Sequence, residues 1–322
     1  MKAVTHDAVV GTTPTAPAGR QRARAAGLWF AVLSAASFGL SGSLASGLMA
    51  AGWSAGGAVV VRVGLAALVL LPPAWAAMAG RWSLLRASLP VVVGYGVVAV
   101  AAAQFAYFSA VRHMDVGVAL LIEYTAPVAV VGWMWLRHGH RPGRLTLGGA
   151  GLAGVGLVLV LDLLSGADLS AVGVAWALLA MVGAATYFVI SARDSGLPPL
   201  VLAAAGLWLA TLALLVAGIT GAVPLRATTA PVTYSDTVVP FWAPVLALGV
   251  VTAAVAYVSG IAASRRLGPR LASFVGLLEV LSGLVFAWLL LGQLPSWVQF
   301  AGGVLVLAGV VVVKAGESRT ES

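Results

Sequence analysis

The sequence predicts an all-α integral membrane protein, ten transmembrane helices arranged as two inverted five-helix repeats. Three observations carry that prediction: an extreme apolar composition, ten long apolar runs, and a register in which the two halves of the chain match. Of 322 residues, 61% are hydrophobic and 9% charged, and the mean hydropathy is +1.03. An ordinary globular domain is roughly 25% charged, and a soluble chain this apolar could not cover its surface. Spanning helices take roughly 20 residues each, so the apolar content suffices for about nine or ten of them.

The elements follow in order. Residues 1–26 are polar, end in Arg20, Arg22 and Arg24, and read as a disordered cytoplasmic tail. Basic residues before an apolar run also begin signal peptides, but the run from Gly27 to about Ala50 is too long for that and reads as an uncleaved first span. The other runs fall at 55–79, 88–110, 116–136, 145–163, 171–191, 199–219, 240–262, 270–291 and 297–313. Gly80-Arg81, Pro142-Gly143, Ser165-Gly166, Pro198-Pro199, Gly268-Pro269 and Pro295-Ser296 supply turn chemistry between them. The exception is a polar loop at 220–239, which contains Pro224 and Pro231. Barrel strands would be about ten residues of alternating character, whereas these runs are continuous and twice as long. The repeats occupy 27–165 and 166–314, and 315–322 forms a second tail.

Charge orients the spans. With a cytoplasmic N-terminus, fifteen of the eighteen basic residues fall on the inner side and only Arg112 and Arg226 on the outer, Arg62 lying within a span. This bias places both termini in the cytoplasm, with the chain multi-pass in the cell membrane. The net charge of +8 is therefore an orientation signal, and no nucleic-acid partner is expected. The chain has no Cys or Asn, and its only lysines are Lys2 and Lys314. Disulfides, thiolate metal sites, P-loops and Schiff bases are excluded, and no cofactor or metal is expected. His138 and His140, beside Arg137, Arg141 and Arg144, read as a basic turn.

Sliding the chain by 153 residues puts Gly96-Val97-Val98 on Gly249-Val250-Val251 and Arg112 on Arg265. In the same register Trp135-Leu136 falls on Trp288-Leu289, Gly139 on Gly292, Pro142 on Pro295, Gly149 on Gly302 and Gly156 on Gly309. Apolar matches would be cheap in such a sequence; Trp, Arg, Gly and Pro matches are not. Five spans per half is an odd number, so the halves cross in opposite senses, a pattern found in secondary transporters.

The register Pro127…Trp135…Gly139…Gly149, echoed by Glu279-Val280…Trp288…Gly292-Gln293…Gly302, resembles the EamA-type repeat of the drug/metabolite transporter superfamily. So does the early arginine in Val61-Arg62-Val63. The resemblance spans about 27–314 and implies two five-helix bundles, cytoplasmic termini, and export or exchange of small metabolites or drugs. One departure matters. The Gly-Glu pair that usually ends the fourth and ninth spans reads Gly139-His140 and Gly292-Gln293 here, so no role of that acid is carried over.

Seven of the ten carboxylates lie in tails or loops and Asp162 is interfacial, which leaves Glu123 and Glu279 at depth. An intramembrane carboxylate is a functional hypothesis by default. Glu279 reads as mid-span among Leu277, Leu278, Val280 and Leu281, either carrying a proton or bonding a neighbouring helix. Glu123 stands four residues before Pro127, which should kink the fourth span; alternatively it reaches the outer headgroups. Arg62 either pairs with Glu123 or a substrate carboxylate, or snorkels outwards. Gln104 and its repeat-mate Tyr257 are candidate neutral hydrogen-bonders in a cavity, with Tyr124 and Tyr107 weaker candidates. Ala35, Gly39, Ser43 and Gly47, and in the fifth span Gly149/Ala153 and Ala150/Gly154, read as close helix packing, with a homodimer contact the minority reading. Trp29, Trp53, Trp82, Trp242 and Trp297 read as an interface belt.

The expected function is secondary active transport by alternating access. The cargo would be a small metabolite, an amino-acid-like solute or a drug, exported or exchanged and coupled to protons through Glu279, Glu123 or both. The partners are a small-molecule solute and the lipid bilayer. The alternatives are an uncoupled channel or facilitator and a lipid flippase. An enzyme is not expected, because no His lies within a span and no Ser–His or metal constellation occurs.

Overall fold

The computed structural model describes residues 17–80, 82–126, 143–160, 170–192 and 195–320. Helix α1 (Pro17–Ala50) begins ten residues before the first apolar run and so takes in part of the expected tail. Ala, Arg and Gln favour helix and proline suits a first turn; the apolar stretch itself is Ala25–Ala50. α2 (Ala55–Met78) is capped by Ser54, whose hydroxyl accepts from Gly57 N at 3.0 Å. α3 (Trp82–Ala87) is a short connector and α4 covers Leu89–Val111. α5 (Val116–Glu123), α6 (Arg144–Val160), α7 (Ala171–Ala192) and α8 (Pro199–Ile219) follow. After a two-stranded hairpin, α9 is built from Trp242–Leu246, Ala247–Val255 and Ala256–Gly276 in continuous succession. α10 (Leu278–Leu291) and α11 (Trp297–Thr320) complete the chain.

Six helices among the described residues are long and apolar enough to cross a membrane, and the apolar stretches of α6, α10 and α11 are shorter. The fourth run is described only as far as Ala126. Pro127, Trp135, His138, Gly139 and His140, and the expectations attached to them, lie outside the described residues, as does Asp162.

Packing repeats between the halves. α1 packs on α9 and α10, and its counterpart α7 packs on α4 and α5. α2 meets the second half through α8 and the middle of α9; α8 meets the first half through α2 and the middle of α4. α6 and α11 pack on each other. At that crossing a Cβ on Gly149 would stand 2.7 Å from the Gly309 carbonyl oxygen, and one on Gly156 would stand 2.7 Å from that of Gly302. The helices are therefore antiparallel and in backbone contact. Gly154 faces open space, so of the two small pairs expected to pack in this helix only Gly149/Ala153 does so. On α1 the stripe is buried, with Gly39 against α10 and Gly47 against Tyr234.

Two irregularities occur in matching register. α4 is wound as a π-helix over Tyr95–Ala102, and α9 over Ala247–Val255. A shift of 153 residues lays one on the other. The second is a break. α5 ends at Glu123, with Tyr124 and Thr125 in a turn, and the helical backbone of α9 ends at Gly276, with Leu277 in the turn. Leu277 is the mate of Tyr124.

This corrects the sequence reading of the ninth run. Gly268-Pro269 does not end the eighth span; helical backbone continues to Gly276. Proline removes one N–H from the ladder, a loss that membrane helices absorb through their neighbours. Glu279 consequently lies in the first turn of α10 and not at mid-helix. α10 is about 21 Å long, shorter than a hydrocarbon layer about 30 Å thick.

The loop expected at 220–239 is a structured strap. Val232–Tyr234 pairs antiparallel with Thr237–Val239, with Ser235 at φ 48° in the tight turn. Tyr234 donates to the Leu44 carbonyl at 2.8 Å, and burial raises its pKa, which keeps the hydroxyl a donor. Ser54 donates to the Pro224 carbonyl at 2.6 Å and accepts from Arg226 N at 2.8 Å. Thr228 reaches the Ala51 carbonyl at 3.0 Å and Ser235 that of Leu289 at 3.2 Å. The strap is thus tied across one end of α1, α2 and α10. Trp53, expected in the interface belt, is buried beside it at 6% exposure.

Candidate functional site

A cavity continuous with solvent lies among α1, α4, α5, α7, α9 and α10. It occupies the half of the bundle away from the strap: its wall on α1 runs from Ala31 to Phe38, and on α9 from Tyr257 to Ser264. Toward the strap the helices close. A Cβ on Gly39 would stand 2.8 Å from the Glu279 carbonyl oxygen and the Gly283 nitrogen, and Gly117 is pressed against Leu284. Small residues on α1 and α5 bring the backbones too near for a passage.

Five of the seven residues singled out in the sequence line this cavity: Gln104, Glu123, Tyr124, Tyr257 and Glu279. The helix breaks bring them together. Glu123 is the last residue before the break after α5, and Glu279 follows the break before α10. Tyr124, in the first of these turns, donates to Glu279 Oε2 at 2.5 Å. The turn is fixed by Thr125, which donates to the Ile122 carbonyl at 2.7 Å. Glu123 is buried, and Glu279 is half-buried at the wall.

Arg62, which does not line it, is fully buried. One guanidinium nitrogen donates to Gln104 Oε1 and the other to the Thr252 carbonyl at 2.6 Å. Its Cζ lies 5.8 Å from the Phe38 ring centre and 5.4 Å from that of Phe108. Two sequence alternatives are thereby corrected. Arg62 does not snorkel, because an aromatic and hydrogen-bonded pocket holds it inside, and its hydrogen bonds go to Gln104 and Thr252, not to Glu123. Thr252 belongs to the π segment of α9, so this arginine ties α2 of the first half to the irregular helix of the second. Tyr107 is buried against Gly42, away from the cavity wall.

Two wall residues carry no flag in the sequence. Phe38 and Tyr187 join Tyr257 in an edge-to-face group: Phe38–Tyr257 centroids are 4.9 Å apart at 89°, Phe38–Tyr187 6.4 Å at 80°, and Tyr187–Tyr257 6.0 Å at 67°. A hydroxyl inside an apolar run could have marked Tyr187; a phenylalanine in such a run is unremarkable. Tyr257 is buried beside Gln104. The wall therefore offers two carboxylates, neutral hydroxyl and amide groups, and aromatic surface. Among the described residues no group of three His, Asp or Glu could hold a metal ion.

Comparison with known proteins agrees with this architecture. The model of the EamA-like transporter family matches the chain twice, at 25–162 and 171–315. No curated protein matches the sequence. A solved crystal structure shares the fold at a TM-score of 0.61 and 22% identity, over 94% of this chain and 100% of that one.

Proposed function

Because the chain belongs to the EamA-like transporter family, we propose that it is a secondary active transporter that exports or exchanges a small solute by alternating access, coupled to protons through Glu279 and Glu123. The observation that carries this reading is the cavity: it lies between elements of both halves and is walled by both Glu123 and Glu279. A channel needs a continuous path, and the close approach of α1 to α10 at Gly39 argues for a closed far side.

Ten spans related by an in-plane twofold axis fit the packing. Gly149 meets Gly309 and Gly156 meets Gly302, and in the 153-residue register Gly309 is the mate of Gly156 and Gly302 that of Gly149. A contact that exchanges mates across an antiparallel pair is what a twofold axis perpendicular to the helices produces. On this reading the strap lies outside the cell, both termini lie inside, and the cavity faces the cytoplasm. In alternating access the breaks at Tyr124 and Leu277 would serve as the flexible points. A proton on Glu279 or Glu123 would be exchanged for substrate as the cavity changes sides.

The test is counterflow in proteoliposomes with a panel of amino acids, nucleosides and amines. A carrier gives transient accumulation of label against an unlabelled internal pool. Uncoupled leakage without counterflow for every solute rejects the carrier reading. Orientation is tested on the natural Cys-free background: a cysteine at Thr229, but not at Ser322, should react with an impermeant reagent in intact cells.

A further inference from the structure

The cavity wall carries a bias in charge that the sequence could not resolve. From the sequence, a carboxylate pair suggests an amine and a buried arginine suggests a carboxylate, and together they would suit a zwitterion. The structure separates the two. Both glutamates line the cavity, whereas Arg62 does not; it is fully buried behind Gln104, with both terminal nitrogens donating to protein oxygens. Its Nε is buried as well, and no atom of Arg62 belongs to the cavity wall, so a carboxylate lying in the cavity does not meet the guanidinium.

The rest of the wall suits a cation. Phe38, Tyr187 and Tyr257 form one aromatic group on the cavity, and ring faces attract ammonium groups through their quadrupole. On the same wall Tyr124 holds the Glu279 carboxyl by its Oε2, which fixes its direction and leaves Oε1 for another donor. We propose that this cavity takes a compact organic cation, an amine head between Glu279 and Glu123 with its apolar body on Phe38, Tyr187 and Tyr257, and that Arg62 positions Gln104 and α9 without touching the ligand. The assignment rests on the transporter reading only for its consequence; binding itself needs no transport.

The experiment is isothermal titration calorimetry on the purified full-length chain in detergent micelles, with three probes that share a phenyl ring: 2-phenylethylamine, 3-phenylpropionate and phenylalanine. The amine should bind at least about tenfold more tightly than either of the others. Glu279→Gln should weaken the amine by about tenfold or more, and Phe38→Leu by a smaller factor; thermal melting of both variants establishes that they are folded, and if Glu279→Gln does not fold, Glu123→Gln takes its place. Tighter binding of phenylalanine than of the amine would show a carboxylate receptor and overturn the proposal. So would preference for the anion, amine affinity unchanged in every carboxylate variant, or no amine binding up to millimolar concentration. Counterflow of the amine in proteoliposomes is scored separately: binding without counterflow rejects the transporter reading and leaves the cation site standing, whereas counterflow of other solutes without amine binding does the reverse.

Discussion

The two halves of this protein agree in backbone and disagree in chemistry. Both have a π segment in the same place, a helix break at the same register and glycines at the same crossing. Their side chains at the cavity are different. The mate of Gln104 is Tyr257, that of Glu123 is Gly276, and that of Glu279 is Ala126. Arg62 lies in α2, while α8, its counterpart, contains no charged residue. Backbone irregularity is therefore what the two halves share as a frame, and polar groups are what each contributes separately to a single asymmetric site. A repeated backbone does not require repeated chemistry, since the single cavity is walled by both halves at once.

The largest effect expected from breaking this asymmetry is at Glu279. Glu279→Gln should abolish pH-driven flux while leaving substrate exchange at least partly intact, measured in proteoliposomes with and without a pH gradient. Unchanged pH-driven flux in that variant and again in Glu123→Gln would make both carboxylates structural. Next, Arg62→Met removes the tie between α2 and the π segment of α9 and leaves Gln104 and the Thr252 carbonyl without their donor, a cost of about 1–3 kcal/mol. Thermal unfolding should show it, and Arg62→Lys should not restore it, because an ammonium lacks the planar fork that reaches both acceptors. The shared frame is tested by a pair of glycines. Gly149→Ala forces a methyl group onto the Gly309 backbone and should cost about 1–3 kcal/mol, whereas Gly154→Ala points into open space and should be neutral or stabilise by up to about 1 kcal/mol. Equal melting temperatures for the two would contradict the crossing. The smallest effect is at Tyr124. Tyr124→Phe removes one hydrogen bond to Glu279 and should shift the pH profile of transport without abolishing it.

Much of this could be read before any coordinates. Hydropathy marks the apolar segments because lipid demands it, and Gly149, Gly156, Gly302 and Gly309 betray the repeat because no other residue fits a backbone-to-backbone crossing. Glu123, Glu279, Gln104, Tyr124 and Tyr257 stand out because polar groups are costly in hydrocarbon, and all five line the cavity. What stayed hidden has equally physical reasons. A π turn in Tyr95–Ala102 uses the same apolar residues as an α turn, so composition is blind to it. Leu277 gives no sign of a break, which is why Glu279 looked central in a helix whose first turn it occupies. The direction in which Arg62 points depends on Phe38, Phe108, Gln104 and Thr252, which are 24 to 190 residues away along the chain and meet it only in the folded bundle. The strap looked like a loop because its order comes from backbone carbonyls of other helices, and carbonyls leave no mark in a sequence.

The matching π segments also bear on how the two halves came to be alike. A widened turn arises when one residue is inserted into a helix, and an inserted residue shifts everything after it by one position. Yet the halves align from Gly96 to Gly156 at a constant offset of 153, with a widened turn in each. Two separate insertions would have had to strike the same turn. One insertion in a single ancestral five-helix gene, copied when that gene doubled, accounts for both.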